Sequence, residues 1–211
     1  RTADPRLSLR VSAAARGRVR EMLAAAGVRL EEPWAVLHPG ATAPSRRYPA
    51  EAFAEVLRLL AEEDGLQLVL SGTREEEDLI AGIQARAGVA SWSLAGRLGF
   101  AELAALVAEA RLLIVNNTGP SHVAAAVGTP VVTLYALTNP QHTPWAVPSR
   151  VLFQDVSCRF CYKSVCPEGH HHCLRLVSPQ AVVQAARALL GTPHDERRRA
   201  AGAAAPARRA A

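Results

Sequence analysis

Short apolar runs alternate with longer helical stretches along most of this chain, and each of the four main runs ends in a polar turn. Those runs are Trp34 to His38, Leu66 to Leu70, Leu112 to Val115 and Val131 to Leu134, with shorter ones at Trp92 to Leu94 and Val151 to Phe153. Runs of this length bounded by Gly, Pro and Asn read as buried strands. Between them, residues 50–63 carry Phe53, Val56, Leu57 and Leu60 on one helical stripe, and residues 74–87 are acidic in their first turn, which suits a helix dipole. Residues 100–110 and 178–190 complete the set, the last with Ser178 as cap and Pro179 at the first helical position. Val11 to Ala26 also has helical spacing, with Gly27 as its stop. Strands separated by helices of 10–15 residues pair in parallel through right-handed crossovers. The expected fold is α/β, a doubly wound, Rossmann-like parallel sheet.

Such sheets bind ligands beyond the carboxyl ends of their strands. Four polar segments fall there: Gly40 to Arg47, Ser71 to Glu76, Asn116 to His122 and Tyr135 to Gln141. The third is the most informative. Residues 112–134, LLIVNNTGPSHVAAAVGTPVVTL, read as strand, turn, helix and strand, with Thr118 or Gly119 as cap, Pro120 opening the helix and Gly128 ending it. The start of that helix directs free N–H groups and partial positive charge at the crevice, which suits a phosphate. Asn117, Thr118, Ser121 and His122 stand at the same place. The first segment adds Thr42 and the cations Arg46 and Arg47, whose forks suit phosphate oxygens. A carboxylate among Glu75, Glu76 and Glu77 can accept hydrogen bonds from ribose hydroxyls. Neither a G-x-x-x-x-G-K-[ST] loop nor a G-x-G-x-x-G turn after a strand occurs, which disfavours nucleoside-triphosphatase and nicotinamide chemistry.

The net charge of +5 sits at the ends: six Arg and one Asp in residues 1–20, and five Arg, one Asp and one Glu in residues 195–211. With 5% aromatic residues and a net negative middle, the chain offers no nucleic-acid-binding face. No apolar run reaches the roughly 18 residues of a membrane span, and the start of the chain lacks the apolar core of a secretory signal. A cytoplasmic protein is the expectation. Cys158, Cys161, Cys166 and Cys173 follow the spacing C-x2-C-x4-C-x6-C, with His170, His171 and His172 just before the last. The first pair has zinc-site spacing. A structural zinc clip on these four cysteines is the leading expectation, with reduced structural thiols and then disulfides as alternatives.

The segments VLHPGATAPSRRYPAEAFAEV, LVLSGTREEE, SLAGRLGFAELAALVAEARLLIVNNTGPSHVAAAVGTPVVTLYALTNP and CRFCYKSVCPEGHHHCL, followed by VSPQAVVQAARALL, together resemble glycosyltransferase family 9. These are the ADP-heptose:lipopolysaccharide heptosyltransferases, and the resemblance covers about residues 34–190. It implies the C-terminal, donor-binding half of a GT-B type inverting glycosyltransferase. Residues 1–30 would then end the linker from a missing N-terminal acceptor domain, residues 31–191 would bind the nucleotide-sugar, and residues 192–211 would be a disordered tail. The implied partners are an ADP-heptose-like nucleoside-diphosphate sugar and a lipid-linked glycan acceptor, with the protein peripheral at the inner membrane surface and no cofactor needed for catalysis. By the resemblance, Thr42 and Arg46 fall on the diphosphate, Glu75 or Glu76 on the nucleoside, and Asn117, Thr118, Gly119 and His122 on the Asp-[Ser/Thr]-Gly-x-x-His signature. Asn117 replaces the usual Asp, and the general base would lie outside this chain. Alternatives are a non-catalytic nucleotide-sugar-binding module or a nucleotide-sugar epimerase of similar fold.

Overall fold

The computed structural model describes residues 6–139 and 141–191. Six strands form one sheet: β1 (Trp34–His38), β2 (Gln67–Leu70), β3 (Trp92–Ser93), β4 (Leu113–Asn116), β5 (Val131–Leu134) and β6 (Ser149–Leu152). Their order is β3-β2-β1-β4-β5-β6, and every pairing is parallel. The helices are α1 (Ala13–Ala26), α2 (Ala50–Asp64), α3 (Glu77–Ala87), α4 (Phe100–Glu109), α5 (Gly119–Val127), the short α6 (His172–Arg175) and α7 (Pro179–Leu190). The chain reverses its direction of winding between β1 and β4, so their carboxyl ends flank the crevice where such sheets hold ligands.

Alternation along each strand divides the core in two, because successive side chains point to opposite faces. Ala35, Leu37, Leu68, Leu70, Ile114, Val132 and Leu134 pack with residues of α2, α3 and α7. Trp34, Val36, Val69, Leu113, Val115 and Val131 pack with residues of α1, α4 and α5. Both faces are covered, which is why the strands read as continuous apolar runs.

Residues 13–28, within the segment expected to end a linker, pack on the body of the fold. Ala15, Val19 and Leu23 of α1 and the following Val28 are buried in the second core. Arg16 and Arg20 of α1 both pair with Glu109 of α4, and Arg18 pairs with Glu102. Ser12 caps α1 by accepting from Ala15 N–H, and Gly27 ends it at φ 94°. Residues 1–5, Pro140 and the expected tail at 192–211 lie outside the described residues.

Candidate functional site: the crevice beyond β1 and β4

Asn116, the last residue of β4, is fully buried and ties the two crevice loops together. Its Nδ2 donates to the Pro39 carbonyl at 2.7 Å, and its Oδ1 accepts from Tyr48 N–H at 3.1 Å. Pro39 and Tyr48 bracket the loop leaving β1, so one amide side chain holds both of its ends. Tyr48 in turn donates from its hydroxyl to the Val177 carbonyl at 2.7 Å, and burial pushes its own ionisation up. The neighbouring Asn117 does a different job. Its Oδ1 accepts from Ala136 N–H at 3.2 Å, which fixes the loop after β5. No partner takes its Nδ2 among the described residues, so at this position the chain keeps a hydrogen-bond donor where a carboxylate would offer none.

Thr118 is the N-cap of α5, in extended conformation, with no capping bond from its side chain. Ser121 is completely buried. Its Oγ donates to the Thr118 carbonyl at 2.9 Å and its N–H bonds the same oxygen at 3.1 Å. This corrects the expectation for Ser121: its hydroxyl proton is committed within the first turn and holds the turn's shape. Pro120 has no N–H to give. The exposed Gly119 N–H is therefore the first-turn donor left open to an anion.

Arg46 ends a short 3₁₀ turn in the β1 loop and forms no ion pair among the described residues. Its Nε is buried and unpartnered. A buried guanidinium N–H without an acceptor carries a desolvation cost of about 1–3 kcal/mol that an anionic ligand would relieve. Thr42 is exposed on the same loop, and Arg47 bonds the Ala41 carbonyl through Nε at 2.8 Å.

Sequence alone left Glu75 and Glu76 equivalent, and the structure separates them. Glu75 is exposed, and bonds from its own backbone and from Thr73 hold its carboxyl below the usual range. Glu76 closes a capping box with Thr73, its carboxylate accepting from Thr73 N–H at 2.8 Å. The same carboxylate occupies the space over Gly40, where a Cβ would meet its atoms at 1.9–2.3 Å. Gly40 thus has a steric reason: it lets β2's loop close onto β1's.

Two histidines escaped the sequence reading. His38, at the end of β1, is buried with Nδ1 3.0 Å from Ser71 Oγ; burial depresses its pKa, against the opposing charge of Glu76. The other is His142, in the loop after β5. Burial first, and then repulsion from His142, push the His122 pKa down, which favours its neutral form. His38 gave no signal because it sits inside an apolar strand, and His142 because its loop reads as turn residues only.

The four cysteines are free thiols. They line one cavity of about 20 Å³ together with Ser45, Leu137, Thr138 and His170. Burial, and then the three other cysteines, keep the Cys173 thiol in its protonated form, against a backbone hydrogen bond from Leu137. Among the described residues no three His, Cys, Asp or Glu side chains already stand in a metal-binding group.

Fold and crevice define a Rossmann-like α/β domain whose switch point offers an open helix start and a free guanidinium on adjoining loops. The chain belongs to glycosyltransferase family 9 (heptosyltransferase), whose family model matches residues 3–172. It is 30% identical over 166 residues to lipopolysaccharide heptosyltransferase 2 of Escherichia coli K12, covering 76% of this chain and 47% of that protein. Among solved structures it resembles a family 9 glycosyl transferase from Veillonella parvula (TM-score 0.78, 26% identity, 87% of this chain and 53% of that one). It also resembles the E. coli ADP-heptose lipopolysaccharide heptosyltransferase II (TM-score 0.71, 27% identity, with the same coverages). The chain spans about half the length of the curated relatives it matches.

Proposed function

We propose that this chain is the donor-binding half of an inverting glycosyltransferase that moves a heptose-like sugar from an ADP-linked donor to a lipopolysaccharide-type acceptor. The observation that carries the reading is the pairing of Arg46, with its buried unpartnered Nε, and the open N-terminus of α5 on loops that Asn116 binds together. The names of its relatives supply the donor and acceptor classes. In the reaction an acceptor hydroxyl attacks the anomeric carbon. The bond from that carbon to the diphosphate oxygen breaks, and its electron pair leaves with the nucleoside diphosphate. Arg46 and the Gly119 N–H stabilise the charge that develops on the leaving group. Neutral His122 can donate a hydrogen bond there without adding charge, and Asn117 Nδ2 can hold a sugar or phosphate oxygen. The acceptor proton passes to a base that the family resemblance assigns outside this chain. No helix among the described residues is long and apolar enough to cross a membrane.

The test is thermal. Millimolar ADP is expected to raise the melting temperature of the purified chain, and Arg46→Ala to abolish the rise while leaving the apo transition in place. An unchanged transition in well-folded wild type would overturn the reading. Asn117 favours a second reading, a nucleotide-sugar-binding module without turnover. Transfer assays on the encoded protein, wild type against Asn117→Asp, separate the two: gain of transfer only in the Asp variant would establish the module.

A further inference from the structure

We propose that Cys158, Cys161, Cys166 and Cys173 bind one thiophilic, tetrahedrally coordinated metal ion, zinc by its chemistry, and that this ion clamps the two loops that hold the donor. The first observation is convergence. Four thiols from a sixteen-residue segment line a single cavity of about 20 Å³, room for one water-sized occupant. All four are free thiols, with no disulfide among them. Among the described residues no closed metal-binding group is already formed, so the thiols must draw together to reach zinc–sulfur bonds of about 2.3 Å. Binding removes the four thiol protons to solvent and leaves four thiolates on the ion. His170 Nε2 lies 3.9 Å from Cys158 Sγ, placed to donate a hydrogen bond to a thiolate there.

The second observation is what the segment touches. Phe160, Val165 and Tyr162 are exposed, so the segment has little apolar filling of its own. It is held instead by backbone bonds to the crevice loops. Ser45 N–H donates to the Ser164 carbonyl at 2.9 Å, and Ser45 Oγ donates to the Lys163 carbonyl at 2.8 Å. Phe160 and Tyr162 N–H groups donate to the Leu137 and Thr138 carbonyls. Ser45 adjoins Arg46, and Leu137 adjoins Ala136, the partner of Asn117. Ser45, Leu137 and Thr138 also line the thiol cavity, where the buried Thr138 hydroxyl has no partner. An ion at its centre therefore sets the positions of both loops. The coupling to nucleotide rests on the donor-site reading above; the metal site does not.

The test has two arms. The chain, purified reduced and without chelator, is weighed by native mass spectrometry and analysed for metals. One zinc per chain is expected, with thiols that react only after a strong chelator is added, and loss of the ion in Cys158→Ser/Cys161→Ser. A folded, metal-free wild type that takes up no added zinc, or one holding disulfides among these cysteines, would overturn the site, whatever the variant does. In the second arm ADP affinity is measured before and after chelation and after zinc is returned. If the loops hold their arrangement about a tenth of the time without metal, Kd rises about tenfold and recovers with zinc. Ser45→Ala is expected to keep the zinc and to weaken that response. An ADP affinity indifferent to zinc overturns the clamp, whereas no ADP binding in either form overturns the donor-site reading and, with it, the clamp, leaving the metal site to the first arm.

Discussion

At the scale of single residues, two adjacent asparagines in one motif have opposite tolerances. Asn116 donates to the Pro39 and Gly40 carbonyls and accepts from Tyr48 N–H, so its amide is used in both directions. A carboxylate there cannot donate and would face the Pro39 carbonyl. Asn117 uses only its oxygen, which a carboxylate supplies equally well. Asn116→Asp is expected to cost about 3 kcal/mol of stability, and Asn117→Asp less than about 1 kcal/mol; chemical denaturation of the two variants reads the difference. Equal costs would mean that the crevice loops are not held by Asn116. The backbone at Phe160, Tyr162 and His171 sits at φ 52–60°, a conformation costly for side chains with a Cβ, so the cysteine segment keeps its shape only because its surroundings impose it.

At the scale of elements, α1 is the piece whose place was hardest to foresee. Its stripe of Ala15, Val19 and Leu23 is short, and its arginines suggest a solvated segment. What binds it is α4, through the apolar stripe and through Glu109, whose side chain is only 12% exposed and takes Arg16 and Arg20 together. Burial works against the Glu109 charge, but the two arginines win and its carboxyl titrates below the usual range. Its contribution is therefore present above the unfolded carboxylate pKa and is lost as pH falls through the lower folded value. Glu109→Gln is expected to lower stability by about 1 kcal/mol at pH 7, because both arginines remain partly solvated. The urea midpoint should shift with an unchanged slope, and the shift should vanish in acid. A shift that persists at low pH would mean that packing, not charge, is lost.

At the scale of the whole molecule, burial of histidines sets how stability depends on pH. His38 and His122 both have folded pKa values below the unfolded one. Such a group binds fewer protons folded than unfolded, so stability rises with pH through that window and falls as pH drops below about 6.5. The melting temperature is expected to decline between pH 7.5 and 5.5, before carboxylates titrate, and His38→Asn to flatten that decline. A flat wild-type profile would show that His38 is not charged on unfolding in that range. The same sheet that buries His38 places four loops at one edge. That is how a parallel α/β fold builds a site from residues that are far apart in sequence.

The fold class was legible from the chain, because strand length, helical stripes and cap residues are local properties. So was the anion-suited start of α5, since Pro120 and Gly128 bracket it in sequence. The sequence also put Thr42, Arg46, Glu76 and His122 in segments beyond the carboxyl ends of the strands, where the structure has them. What only the tertiary structure decided is which polar groups are already spent. Ser121 closes on Thr118, Glu76 fills the gap over Gly40, Asn116 and Asn117 bind different loops, and Ser45 reaches Lys163 across 118 positions. Hydrogen-bond partners at that separation follow from topology and register. No local pattern encodes them, and they determine whether a polar residue at the crevice meets a ligand or holds the crevice open.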